Sequence, residues 1–143
     1  HSIDYYGYFD SYKCYIYDGS KFVPTRVTTN KYCGGTNEWS GNFLNWLSMS
    51  RMDVLRKVLY GGYRSTDTDS ETVLEGVFIP QDAHSWGKEY AGDDSRLLTP
   101  FDAPKGSCKI PSTPVEWNKN NQILFVIYDD NKSGIFGKDH KDL

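Results

Sequence analysis

The sequence has no long apolar run. Its longest goes only from Ile123 to Tyr128, well short of the roughly 20 residues that a membrane-spanning helix needs. It also lacks a basic excess: 16 Lys and Arg stand against 19 Asp and Glu, for a net charge of -3. No basic cluster is present, which argues against a nucleic-acid-binding surface. Histidine is scarce, at 3 residues, and His84 with its neighbours Asp82 and Ser85 cannot form a converging nucleophilic set from one short segment. There is no G-x-S-x-G elbow, H-E-x-x-H, G-x-G-x-x-G or phosphate-binding G-x-x-x-x-G-K. The chain therefore reads as no enzyme; a hydrolase using carboxylates alone is the one catalytic class left without a sequence spacing to test.

Cysteine is also sparse, and its count of 3 is odd. No C-x-x-C pair exists, so a thiolate zinc site has little support. Two readings stay open: three buried thiols in a reducing compartment, or one Cys14–Cys33 bridge with Cys108 left over or paired elsewhere. A loop of that size would contribute about 3 kcal/mol in the chain-entropy picture. The chain opens on His1 with no basic and apolar leader, which reads as a processed chain or a piece of something longer.

Aromatics are plentiful. They make up 15% of the 143 residues, with 11 tyrosines, enough to build a core where aliphatics are few. Lys13 to Tyr17 and Lys21 to Thr28 are β-prone runs around Asp18-Gly19, a hairpin signal, and Pro24 places the second run at a sheet edge. Phe43, Leu44, Leu47, Met52, Leu55, Val58 and Leu59 recur at helical spacing and predict one amphipathic helix over 41–60, with Met49 and Met52 as core filler. Ser40 is its cap and Gly61-Gly62 its stop. Arg64 to Asp69 reads as a polar turn. Thr68 and Glu71 then suggest a capping box opening a short helix to about Glu75. Residues 87–121 read as a long irregular region, and Gln122 to Tyr128 as a buried strand before a C-terminal turn.

That turn contains Asp129, Asn131, Ser133 and Gly134 in the spacing D-x-N-x-S-G. Alternating oxygen ligands before a glycine suit calcium, although His140 stands where a calcium loop of the helix–loop–helix kind has Glu; the same residues also favour an ordinary turn. Asp67, Asp69 and Glu71 alternate likewise, and helix N-terminal charge accounts for them without a metal.

Two stretches together resemble the PilC/PilY family of type IV pilus assembly proteins and tip adhesins. One is Tyr5-Tyr6-Gly7-Tyr8-Phe9-Asp10 with Cys14-Tyr15 and Tyr17. The other is Trp39-Ser40-Gly41-Asn42-Phe43-Leu44-Asn45-Trp46 followed by Arg51-Met52-Asp53-Val54-Leu55-Arg56-Lys57-Val58-Leu59-Tyr60-Gly61-Gly62. Phe78 to Trp86 fits the same pattern, so the family-like segment is 1–86. The resemblance implies a non-enzymatic protein, exported through the periplasm to the cell surface or beyond. Family members are long, with an interrupted von Willebrand factor A-like part and a calcium-binding β-propeller. The adhesion-metal motif D-x-S-x-S is missing here, since Asp18-Gly19-Ser20-Lys21-Phe22 and Asp129-Asp130-Asn131-Lys132-Ser133 both fail it. The chain is thus read as an early segment of such a protein, or as a short relative completed by a partner.

The expected fold is α+β: one long amphipathic helix on a small sheet with long irregular loops, within a von Willebrand factor A-like setting. The export implied by the family favours the Cys14–Cys33 bridge. Expected partners are pilin subunits or another chain of the pilus machinery, and a host or abiotic surface. Tyr5, Tyr6, Tyr8 and Trp39 are the candidate contact residues. The rival reading is a small carbohydrate-binding or calcium-stabilised extracellular module, with Asp129, Asn131 and Ser133 holding the ion. A calcium titration separates the two. A calcium loop predicts a clear rise in Tm at millimolar calcium, and an unchanged Tm removes it.

Overall fold

A computed structural model describes residues 2–78, 86–90, 92–101 and 123–127. Strands β1 (Lys13–Tyr17) and β2 (Phe22–Val27) form the expected hairpin. Asp18 makes the turn by accepting from the backbone N–H groups of Ser20 and Lys21 at 2.8 and 2.9 Å, the local bonding that favours Asp at such positions. The sheet order is β2-β1-β3, with β3 at Glu38–Ser40. Pro24 therefore lies on an edge strand, as its missing N–H requires. A bulge between Cys14 and Tyr15 leaves Thr25 out of the pairing, and its hydroxyl donates to the Cys14 carbonyl at 3.1 Å.

The predicted helix over 41–60 is two helices, α1 (Gly41–Ser48) and α2 (Arg51–Tyr60). Ser40 caps α1 as expected, its hydroxyl accepting from Phe43 N–H. The break comes at Met49 and Ser50, whose backbones are extended. Ser50 Oγ accepts from Asp53 N–H at 3.0 Å and Asp53 Oδ2 accepts from Ser50 N–H at 3.1 Å. This reciprocal cap satisfies the first-turn donors of a new helix, so the chain stops and restarts rather than running through. Gly61 ends α2 in the left-handed conformation at φ 86°, the role in which glycine is favoured.

The short helix expected after Thr68 is instead a hairpin of β4 (Arg64–Asp67) and β5 (Thr72–Leu74). Thr68 Oγ1 does accept from Glu71 N–H at 3.1 Å. Thr68 N–H also donates to the Glu71 carbonyl at 2.8 Å, which closes a turn, and Thr72 and Val73 favour the strand that follows. The irregular region expected from residue 87 contains ordered elements too: β6 (Trp86–Tyr90), pairing antiparallel with β7 (Ile123–Ile127), and α3 (Ser95–Leu98). The strand read from the apolar run is thus present, while 102–121 lie outside the described residues. Among the described residues no helix is long and apolar enough to cross a membrane.

The core is Tyr15, Trp39, Phe43, Leu44, Leu47 and Leu98, with Phe9, Phe22, Tyr32, Trp46 and Tyr90 packed around it. Only the α1 half of the apolar stripe enters it. In α2, Met52 and Leu55 are 48% exposed, Val58 65% and Leu59 70%, whereas Asp53 is 1% exposed. The expectations that the whole stripe packs on the sheet and that Met52 fills the core are therefore corrected. Met49 is half-buried. A disulfide joins Cys14 on β1 to Cys33, with Cα atoms 5.6 Å apart, and Cys33 N–H donates to the Leu97 carbonyl. This ties the loop after β2 to the sheet on one side and to α3 on the other.

Glu38 on β3 and Arg26 on β2 join across β1 through guanidinium–carboxylate bonds of 2.8 to 3.2 Å. Glu38 also accepts from Gly35 N–H at 3.1 Å. The bond from Arg26 holds the Glu38 carboxyl below the ordinary glutamate value against the opposing effect of burial. A carboxyl depressed on folding stabilises the fold fully above its unfolded value, about 4.3, and that contribution disappears as pH falls through the folded value. Denaturant melts should therefore show stability falling below about pH 4.3, with a shallower fall in Glu38→Gln; identical pH profiles for the two proteins would refute this.

Candidate interaction surface

The aromatic opening segment lies along α1 and is held there by two side-chain amides. Asn42 and Asn45 sit three residues apart, so they project from one face of the helix. Asn42 Oδ1 accepts from Tyr5 N–H at 2.8 Å, and its Nδ2 donates to the Ile3 carbonyl at 3.0 Å. Asn45 Oδ1 accepts from Phe9 N–H at 3.0 Å, while its Nδ2 donates to the Tyr5 and Phe9 carbonyls at 2.9 and 2.8 Å. Both asparagines are buried. They do for the extended segment what a neighbouring strand would do, and so satisfy their own buried polar atoms. Gly7 is buried in this strap, where a Cβ would run into Asn45 and Met49. Lys57 of α2 bonds the Gly7 carbonyl.

This strap sets the exposure of the candidate contact residues. Tyr5 is 36% and Tyr6 54% exposed, so both present ring surface outward. Lys57 Nζ lies 4.4 Å from the centroid of the Tyr6 ring, a cation–π contact that orients the ring. Tyr8 is half-buried. Burial, and then the nearby Asp53 carboxylate, push its phenol above the ordinary tyrosine value. Trp39 is not a contact residue. It is 4% exposed, with its ring edge-on to Phe22 and Phe101 at 5.9 and 5.6 Å between centroids. Its place on a buried β3, whose three residues are all covered, turns it into core.

A second polar cluster lies beside α3. Asp94 accepts from Tyr32 Oη at 2.8 Å and also from Tyr90 Oη. Burial first, then the bond to Asp94, raise the Tyr90 phenol far above its ordinary value. Lys88 Nζ bonds the Trp46 carbonyl and sits 5.2 Å from the Trp46 ring centroid; burial lowers its ammonium below the ordinary lysine value. A carboxylate taken up by two phenols and a lysine held over an indole are structural uses of these groups. Among the described residues no set of three His, Cys, Asp or Glu could hold a metal. Asp129, Asn131 and Ser133 lie outside the described residues, as do His84 and Cys108. In the acidic group near β4, Asp67 accepts from Thr72 Oγ1 at 2.8 Å, and Glu71 pairs with Lys21.

Residues 1–133 match the family model described as the PilY1 homolog, small alpha/beta domain. The chain belongs to this PilY1-homolog domain family. It is similar to two Xylella fastidiosa proteins, each named type IV pilus biogenesis factor PilY1 homolog. One is 50% identical over 110 residues, covering 71% of this chain and 7% of the relative. The other is 45% identical over 125 residues, covering 80% of this chain and 9% of the relative. The chain thus spans less than a tenth of the length of these curated relatives. No solved structure matches it.

In this PilY1-family domain the two stretches that carry the resemblance touch each other. The aromatic strap binds the two asparagines of Gly41-Asn42-Phe43-Leu44-Asn45-Trp46, so each segment supplies the other's hydrogen bonds. The sequence reading missed this pairing, although two asparagines on a helix with an apolar flank are a signal that buried amides need partners. Asn45→Ala removes three hydrogen bonds and leaves backbone groups of the strap unpaired. Stability should fall by roughly 1–3 kcal/mol, and the Phe9 amide should exchange faster; wild-type protection at Phe9 in this variant would refute the assignment.

Proposed function

We propose that this domain serves type IV pilus biogenesis as a non-enzymatic interaction module of a longer exported protein. The family match over residues 1–133 carries the reading. The Cys14–Cys33 disulfide supports it, because such bonds form and persist in oxidising compartments such as the periplasm and cell surface. In this reading the protein passes through the periplasm to the cell surface. The domain belongs there to a von Willebrand factor A-like part of the pilus tip. It contacts pilin or another chain of the pilus machinery, and through the tip a host or abiotic surface. Tyr5 and Tyr6 on the strap are the aromatic contacts it offers, and no cofactor is needed for that role.

Deleting the gene in the producing organism should reduce surface pili and pilus-dependent adhesion. Complementation with the intact gene should restore both. Non-reducing peptide maps of the native protein should show Cys14 joined to Cys33. Unchanged piliation and adhesion in the deletion strain would refute the pilus role, and both thiols free to alkylation in the native protein would refute the oxidising location.

A further inference from the structure

Helix α2 turns its polar side inward. Asp53 faces the domain: its Oδ2 closes the cap with Ser50, and its Oδ1 accepts from Val77 N–H at 2.8 Å. Lys57 reaches back to the strap at Gly7, and Arg56 lies over Tyr63, 5.8 Å from the ring centroid. At 3.6 residues per turn, Val58, Leu55, Leu59 and Met52 then fall within an arc of about 120° opposite Asp53. All four are exposed by about half or more. Contiguous apolar surface of this kind, rimmed by polar groups, marks an interaction site.

The charges around this face identify what it fits. Arg51 lies within the arc and Arg56 borders it, while Lys57 lies on the inner side with Asp53 and is held at the strap. Asp53, the only carboxylate of α2, is consumed on the inner side. Among the described residues neither arginine pairs with a carboxylate. We propose that the outer face of α2 docks a partner protein whose contact surface has apolar side chains ringed by Asp and Glu. A second copy of this chain would set one cationic rim against another, a like-charge contact that opposes binding. A lipid surface fits poorly, because Arg51 falls inside the apolar arc, between Val58 and Leu55 in projection, where it would enter hydrocarbon. The proposal deepens the proposed function by placing a contact on the domain, and rests on it only for the partner's membership in the pilus machinery.

The test is site-specific photo-crosslinking in the cells that make the protein, using the full chain with a benzophenone amino acid at position 55. The crosslinked peptide is sequenced by mass spectrometry. The expected adduct is to a peptide of another protein that combines aliphatic residues with Asp or Glu. Arg51→Glu should lower its yield about tenfold, as a close opposite-charge pair becomes a like-charge pair. Leu59→Asp should also abolish the adduct while leaving the Tm of the purified chain unchanged, since that side chain is already exposed. An adduct to a second copy, to lipid or to a peptide without carboxylates would overturn the proposal, as would no adduct or a yield insensitive to Arg51→Glu. An acidic partner unrelated to pili would uphold the docking surface and refute only the pilus reading.

Discussion

The two amides of Asn42 and Asn45 are the contacts on which the rest of the structure depends. Among the described residues the opening segment has no strand partner, so its backbone groups need other acceptors and donors. Five hydrogen bonds from two side chains meet that need. Once the strap lies on α1, Phe9 reaches the ring of Tyr15 at 5.1 Å and that of Phe22 at 5.6 Å. The aromatic core is thus closed by a segment with no regular structure of its own. Gly7 is small because the strap runs directly over Asn45 and Met49.

The disulfide acts on a different part of the molecule. It fixes the loop after β2 against β1, and the Cys33 backbone then holds α3 through Leu97. Leu98 thereby joins the core cluster that contains Trp39, and Asp94 of the same segment takes up Tyr32 and Tyr90. A small sheet with a short helix at its edge buries little apolar surface, and a covalent link compensates for that shortage. The same bond bears on the proposed function, since disulfides form and persist in oxidising compartments.

Much of the interaction chemistry depends on the helix break at Met49 and Ser50. A continuous helix would carry one apolar stripe and bury it along its whole length. The reciprocal Ser50–Asp53 cap lets α2 take its own orientation, with Asp53 turned inward and Leu55, Val58 and Leu59 turned out. The periodic pattern is the same in both helices, yet one half of it builds core and the other half builds surface.

The sequence alone determined the β1–β2 hairpin, the edge position forced by Pro24, the Ser40 cap, the Gly61 stop and the family. The first four follow from signals acting over a few residues (a turn carboxylate, a missing N–H, a hydroxyl cap, a left-handed glycine), and the family from stretches spread over residues 1–86. Only the tertiary structure decided that Trp39 is core while Tyr6 is surface, that Thr68 closes a hairpin instead of opening a helix, and which side of α2 faces out. Those outcomes depend on what lies across from each side chain. The Ser50-x-x-Asp53 spacing is a local signal too, but the apolar repeat over 41–60 runs straight through it, and only the fold shows that the cap prevails. The pairing of the strap with Asn42 and Asn45 joins residues some 40 positions apart in sequence, and no local pattern encodes a contact over that distance.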